Sequence, residues 1–102
     1  MKMTETVTVD PIHPGEILKE EFIKPFGITA NKLAIELKVP ASRIDQIVKG
    51  KRAITAETAL RLAAFFGTSN LFWMNLQSRY ELECIQREKG DRISREVIPI
   101  AV

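Results

Sequence analysis

Apolar residues recur at helical spacing in five bursts, each bounded by turn or capping residues. In GEILKEEFIKPFG, Ile17, Leu18 and Phe22, with Ile23 beside them, share one side, and Glu16, Lys19 and Glu20 lie outside. Pro14 suits a first helical turn, where its missing N–H is not needed, and Pro25 stops the helix. Thr29 then reads as an N-cap for a second helix over residues 30–38, with Leu33, Ala34 and Leu37 on its inner face. Val39-Pro40 breaks it, because a residue before proline avoids helical angles. Residues 41–49 form a third helix that ends at Gly50. Thr55 opens a fourth, which buries Ala59, Leu62, Ala63 and Phe66 and closes at Gly67, with Glu57 near its positive dipole end. Ser69 or Asn70 caps a fifth, NLFWMNLQSRYELECIQREKG, ending at Gly90. The pattern predicts an all-α domain of five helices.

The two ends depart from that period. ETVTV, residues 5–9, alternates polar and apolar as a short strand does. EVIPIAV near the C-terminus is rich in β-branched residues, and Pro99 confines it to an edge strand or an irregular tail. The chain therefore divides into an N-terminal segment, 1–11, a helical domain, 12–91, and a tail, 92–102.

A length of 102 residues suits one domain with a real core. The opening MKMTETVTVD has no apolar run of the signal-peptide kind, and LAAFF and LFWM are far too short to span a bilayer. Cys84 is the single cysteine, which leaves no disulfide framework and no multi-cysteine metal site. These features predict a cytoplasmic protein with no membrane partner, no cofactor and no metal.

Net charge is only +2, but its distribution is uneven. Residues 1–37 hold four lysines and six acids, residues 38–61 six bases and two acids, and residues 62–102 five of each. The basic excess sits on VPASRIDQIVKGKRAIT, as expected where nucleic acid is gripped. The acidic start would complement a basic partner, and a solvated surface explains it equally well. Catalysis is not expected. The single histidine, His13, sits among prolines at a helix entry, Cys84 lies on an apolar helix face, and no glycine-rich phosphate loop is present.

Helices two and three are short and joined by a very tight turn, the helix-turn-helix pattern. Helix three crosses close to helix two, so Ala34 must be small. Val39 plugs the turn, and Ile44 and Ile47 bring helix three onto helix two. ANKLAIELKVPASRIDQIVKG resembles the helix-turn-helix of the Xre, or lambda-repressor-like, family. Lys38 stands where that family commonly has glycine. Ala30 stands where many members place a phosphate-holding glutamine, which leaves that contact to Thr29 or Asn31. HPGEILKEEF, GKRAITAETALRLAAFFGTS and FWMNLQSRYEL together resemble the HigA-type antitoxins, also called virulence-associated protein I-like, over roughly residues 12–90. The resemblance implies a homodimer that binds a palindromic operator in double-stranded DNA and neutralises a HigB-type ribonuclease toxin.

On that reading helix three enters the major groove with its N-terminal part nearest the bases. Ala41, Ser42, Asp45 and Gln46 then face base edges. Ala41 suits a thymine methyl, Ser42 donates or accepts, and Gln46 suits adenine through two hydrogen bonds. Arg43 reaches guanine or a phosphate. Asp45 accepts from cytosine or pairs with Lys49 one turn on. Lys49, Lys51 and Arg52 grip phosphates, as does Thr29 or Asn31. Trp73 and Tyr80 on helix five suit either the core or a dimer or partner interface. Two other functions stay open: a stand-alone repressor without a toxin, and an interaction module that has lost DNA binding.

Overall fold

The computed structural model describes residues 10–101. The domain is all-α, with five helices in the predicted order. Helix α1 opens as an α-helical turn, Pro14–Ile17, and continues with a wider π-helical pitch over Leu18–Ile23. The wide turn closes with Lys24 N–H donating to the Lys19 carbonyl at 3.0 Å, just before Pro25, which has no N–H to donate. Helices α2, Ala30–Leu37, and α3, Ala41–Val48, pair closely, and α4, Ala56–Phe66, packs on α5, Asn70–Glu96.

Short polar side chains start three of these helices. Thr29 Oγ1 accepts from Lys32 N–H at 3.0 Å, Thr55 Oγ1 from Thr58 N–H at 3.4 Å, and Ser69 Oγ from Phe72 N–H at 3.2 Å. The core is continuous. Leu18, Leu33, Leu37, Ile44, Ile47, Ile54 and Leu62 are buried, and Ala34, Ala59 and Ala63 sit where helices cross closely.

Helix α2 ends on Lys38, whose φ of 62° is left-handed. The Lys38 N–H donates to the Ile35 carbonyl at 3.2 Å and the Val39 N–H to the Ala34 carbonyl at 3.1 Å. This is a Schellman ending with lysine where glycine is the usual residue. A lysine held there stores local strain of about 1 kcal/mol. Lys38→Gly removes that strain and gives back part of the gain as chain entropy in the unfolded state. The expected result is a gain of about 0.5–1 kcal/mol and a melting temperature roughly 2–6 °C higher. A melting curve that is unchanged or lower would show that the turn is unstrained.

Two expectations about the second half are corrected. Helix α5 does not end at Gly90 but runs on to Glu96, across the expected 91/92 boundary. A glycine inside a helix costs about 1 kcal/mol relative to alanine, which weakens a helix without ending it. An Arg92–Glu96 ion pair at 3.6 Å supports that extra turn. Residues 97–101 are irregular and exposed, and no strand is present among the described residues. The strand expected at 5–9 lies outside them.

The second correction concerns Trp73. It is fully buried, so it belongs to the core and offers no surface to a partner. Phe22, Phe66 and Phe72 surround it with ring centroids 4.8, 6.3 and 4.9 Å away. Its indole N–H donates to Thr68 Oγ1 at 3.0 Å, which satisfies the one polar atom of the ring.

Candidate nucleic-acid interface

The helix-turn-helix presents α3 to solvent along one side. Ile44 and Ile47 are buried beneath it, while Ala41, Ser42, Asp45 and Gln46 are exposed and Arg43 is half-buried. This division follows from the helical period, which puts residues 44 and 47 on one face and 42, 45, 46 and 49 on the other. Ala30 and Asn31 at the start of α2 share a shallow groove with Ala41, Ser42 and Asp45. Asn31 is thus brought beside the start of α3. Thr29 is exposed and its oxygen caps α2.

The far end of α3 gathers the cations. Gly50, with φ 75°, reverses the chain through a second Schellman ending. Gly50 N–H donates to the Ile47 carbonyl at 3.0 Å and Lys51 N–H to the Gln46 carbonyl at 2.8 Å. Lys49, Lys51 and Arg52 are all exposed there. Lys49 Nζ lies 3.1 Å from the Asp45 carboxylate, so the second of the two readings of Asp45 describes the free chain. Arg52 Nη1 donates to Gln46 Oε1 at 3.2 Å. Arg43 and Arg52 both border a groove that reaches the N-terminus of α4 at Thr55 and Ala56.

Three residues that the pattern along the chain did not single out, together with His13, hold this surface in place. Gly15 lies so close to α3 that a methyl group on it would overlap the Ile47 carbonyl. Gln77 is buried on α5, where its Oε1 accepts from Ile54 N–H at 2.8 Å and its Nε2 donates to Glu81 at 2.8 Å. That bond fixes the chain just after the basic turn. Arg61 on α4 donates to the Leu37 carbonyl at 2.9 Å and to Glu57, tying down the end of α2. His13 Nδ1 accepts from Gly15 N–H at 2.8 Å and caps α1, so that nitrogen carries no proton. Burial pushes the imidazole below its ordinary pKa, and a hydrogen bond to the Arg52 backbone opposes this. Tyr80 meets the His13 ring edge-on with centroids 4.9 Å apart, which leaves it half-buried by its own chain. The helix-entry role expected of His13 is the one it takes. The other three carry no local signal, because their partners lie far along the chain.

A helix-turn-helix family model matches residues 18–71, from within α1 to the start of α5. Virulence-associated protein I of Dichelobacter nodosus is 50% identical over 78 residues, spanning 76% of this chain and 72% of that protein. Antitoxin HigA-1 of Vibrio cholerae is 38% identical over 72 residues, spanning 71% of this chain and 68% of that one. The chain belongs to the HigA-type helix-turn-helix family. A solved structure described as Pseudomonas aeruginosa antitoxin HigA with higBA promoter superposes with a TM-score of 0.86. It is 46% identical and covers 89% of this chain and 99% of that one. Both Lys38 and the aromatic cluster around Trp73 thus lie within a HigA-type framework. Among the described residues no helix is long and apolar enough to cross a membrane.

Proposed function

We propose that this chain is a sequence-specific DNA-binding antitoxin that represses its own operon as a homodimer and neutralises a HigB-type ribonuclease toxin. The observation that carries the DNA half is α3 itself. Its inner side is locked by Ile44 and Ile47, and its outer side offers Ser42, Arg43, Asp45 and Gln46 beside Lys49, Lys51 and Arg52. Thr29 or Asn31 supplies a further phosphate contact at the start of α2. The toxin half is supported by membership of the HigA-type family and by the relatives' names.

The DNA reading is tested by titrating the duplex upstream of the gene against rising salt. Phosphate neutralisation releases counterions, so affinity falls steeply and linearly on a log–log plot. Lys51→Ala weakens all sequences alike and flattens that slope by about one. A slope near zero for the unaltered protein would exclude operator binding and favour the pure interaction module. For the toxin, co-expression with the open reading frame next to this gene should yield a stoichiometric complex. A homodimer that retains no neighbour would favour the stand-alone repressor.

The homodimer is read from α5. At 27 residues the helix is about 40 Å long, and its distal half leaves the domain body. Leu82, Ile85 and Ile93 fall along one stripe there and are 65%, 44% and 42% exposed. A second copy laid on this stripe covers it and sets two α3 helices for a two-fold operator. Tyr80 borders the same region. Leu82→Glu is expected to give a folded monomer by light scattering, with operator affinity reduced at least about tenfold because one half-site is lost. A Leu82→Glu chain that remains dimeric would move the interface elsewhere.

A further inference from the structure

Gln46 is exposed on α3, and its amide is already engaged. The Schellman turn at Gly50 folds the chain back so that Arg52, six residues on, reaches beside the helix. There Arg52 Nη1 donates to Gln46 Oε1 at 3.2 Å. A guanidinium has five N–H donors and no acceptor, so the amide must turn its oxygen to Arg52. The Nε2 end, with its two N–H donors, is then the end presented outward. The half-buried ring of His13 lies beside Gly50, so the turn that carries Arg52 rests against the start of α1.

This orientation matters because adenine and guanine differ in the major groove. A glutamine recognises adenine by donating to N7 and accepting from the N6 amine, which requires Oε1 as well as Nε2 to face the base edge, not the side on which Arg52 lies. Guanine offers N7 and O6, both acceptors, and asks only for donors. With Oε1 turned to Arg52, the donor end of Gln46 matches guanine better than adenine. We propose that Arg52 is a specificity-determining positioning residue, which orients the Gln46 amide so that it reads guanine in preference to adenine. The inference rests on α3 being the DNA-reading helix.

The test uses the full-length protein and a pool of duplexes randomised over about 20 base pairs, long enough for two half-sites one helical turn apart. Bound sequences are recovered for the unaltered chain, Gln46→Ala and Arg52→Ala. Both substitutions are on exposed side chains, and thermal melting verifies that each variant is folded. In the unaltered chain the base pair assigned to Gln46, the one whose preference Gln46→Ala flattens, should favour guanine over adenine about tenfold. Arg52→Ala weakens binding to every sequence through its lost charge, but the guanine-to-adenine ratio at that one position should also fall to about one or invert. A purely electrostatic or structural role for Arg52 leaves that ratio unchanged. Adenine preferred by the unaltered chain, or a ratio unmoved by Arg52→Ala, overturns this inference and leaves the DNA-reading helix intact. Base preferences unmoved by Gln46→Ala at any position, or no sequence enriched at all, overturn the reading of α3 and this inference with it.

Discussion

Gly15→Ala is expected to destabilise the domain by about 3 kcal/mol, the upper range for forcing an extra methyl group into a packed interior. The added carbon would overlap the carbonyl of Ile47 and crowd the Val48 backbone. These are main-chain atoms of α3, and no flexible side chain is present to move aside. The Gly50 and Lys51 amides bond to the Ile47 and Gln46 carbonyls, so α3 cannot shift alone without loosening the turn that carries Lys51 and Arg52. The melting temperature should fall by roughly 12–20 °C for a domain of this size. Operator affinity measured well below the new midpoint should also fall, because α1 and α3 must part to admit the methyl. Calorimetry and a binding titration at about 15 °C would check both. A variant that melts within a degree or two of the parent would mean that α1 does not seat on the end of α3 as described.

Trp73→Ala is expected to cost about 4 kcal/mol, a large share of the 5–15 kcal/mol that holds a typical domain together. The indole is the largest fully buried side chain and joins Phe22 of α1 and Phe66 of α4 to α5. Its removal leaves a cavity at the meeting point of three helices and deletes the indole hydrogen bond to Thr68 Oγ1. Chemical denaturation followed by circular dichroism gives the loss directly. The same residue offers an independent check in the unaltered protein. It is the single tryptophan of the sequence, so its emission should be blue-shifted and resistant to an aqueous quencher. Neither property should change on dimerisation or DNA binding. Ready quenching in the dissociated chain would restore Trp73 to a surface role.

Much of this molecule was legible one residue at a time, because the deciding interactions are local. Thr29 and Thr55 announce their helices since an N-cap hydroxyl bonds an amide three residues later, within the same turn. Leu33, Ala34 and Leu37, then Ile44 and Ile47, could be assigned to the core because the 3.6-residue period fixes which positions share a face. The same period left Ser42, Asp45, Gln46 and Lys49 outside, so the candidate reading surface followed from sequence together with the local excess of positive charge. The tertiary structure decided what depends on partners far along the chain. Trp73 suited core and interface equally until Phe22 and Phe66 were brought around it. Gly15 read as part of a helix start until α3 packed against it, 32 residues away. Gln77 looked like any polar residue on a long helix until its oxygen met Ile54 N–H, 23 residues back. Helix α5 passed Gly90 because a single glycine weakens a helix without ending it. Gln46 looked like a free side chain until the Gly50 turn brought Arg52 within 3.2 Å of its Oε1. Propensity and period act over one or two helical turns, so sequence by itself determined the helices, their buried faces and the charged surface. Burial of an amphipathic ring, clearance at a glycine and the orientation of an amide are set by atoms distant in the chain, and those the fold alone could determine.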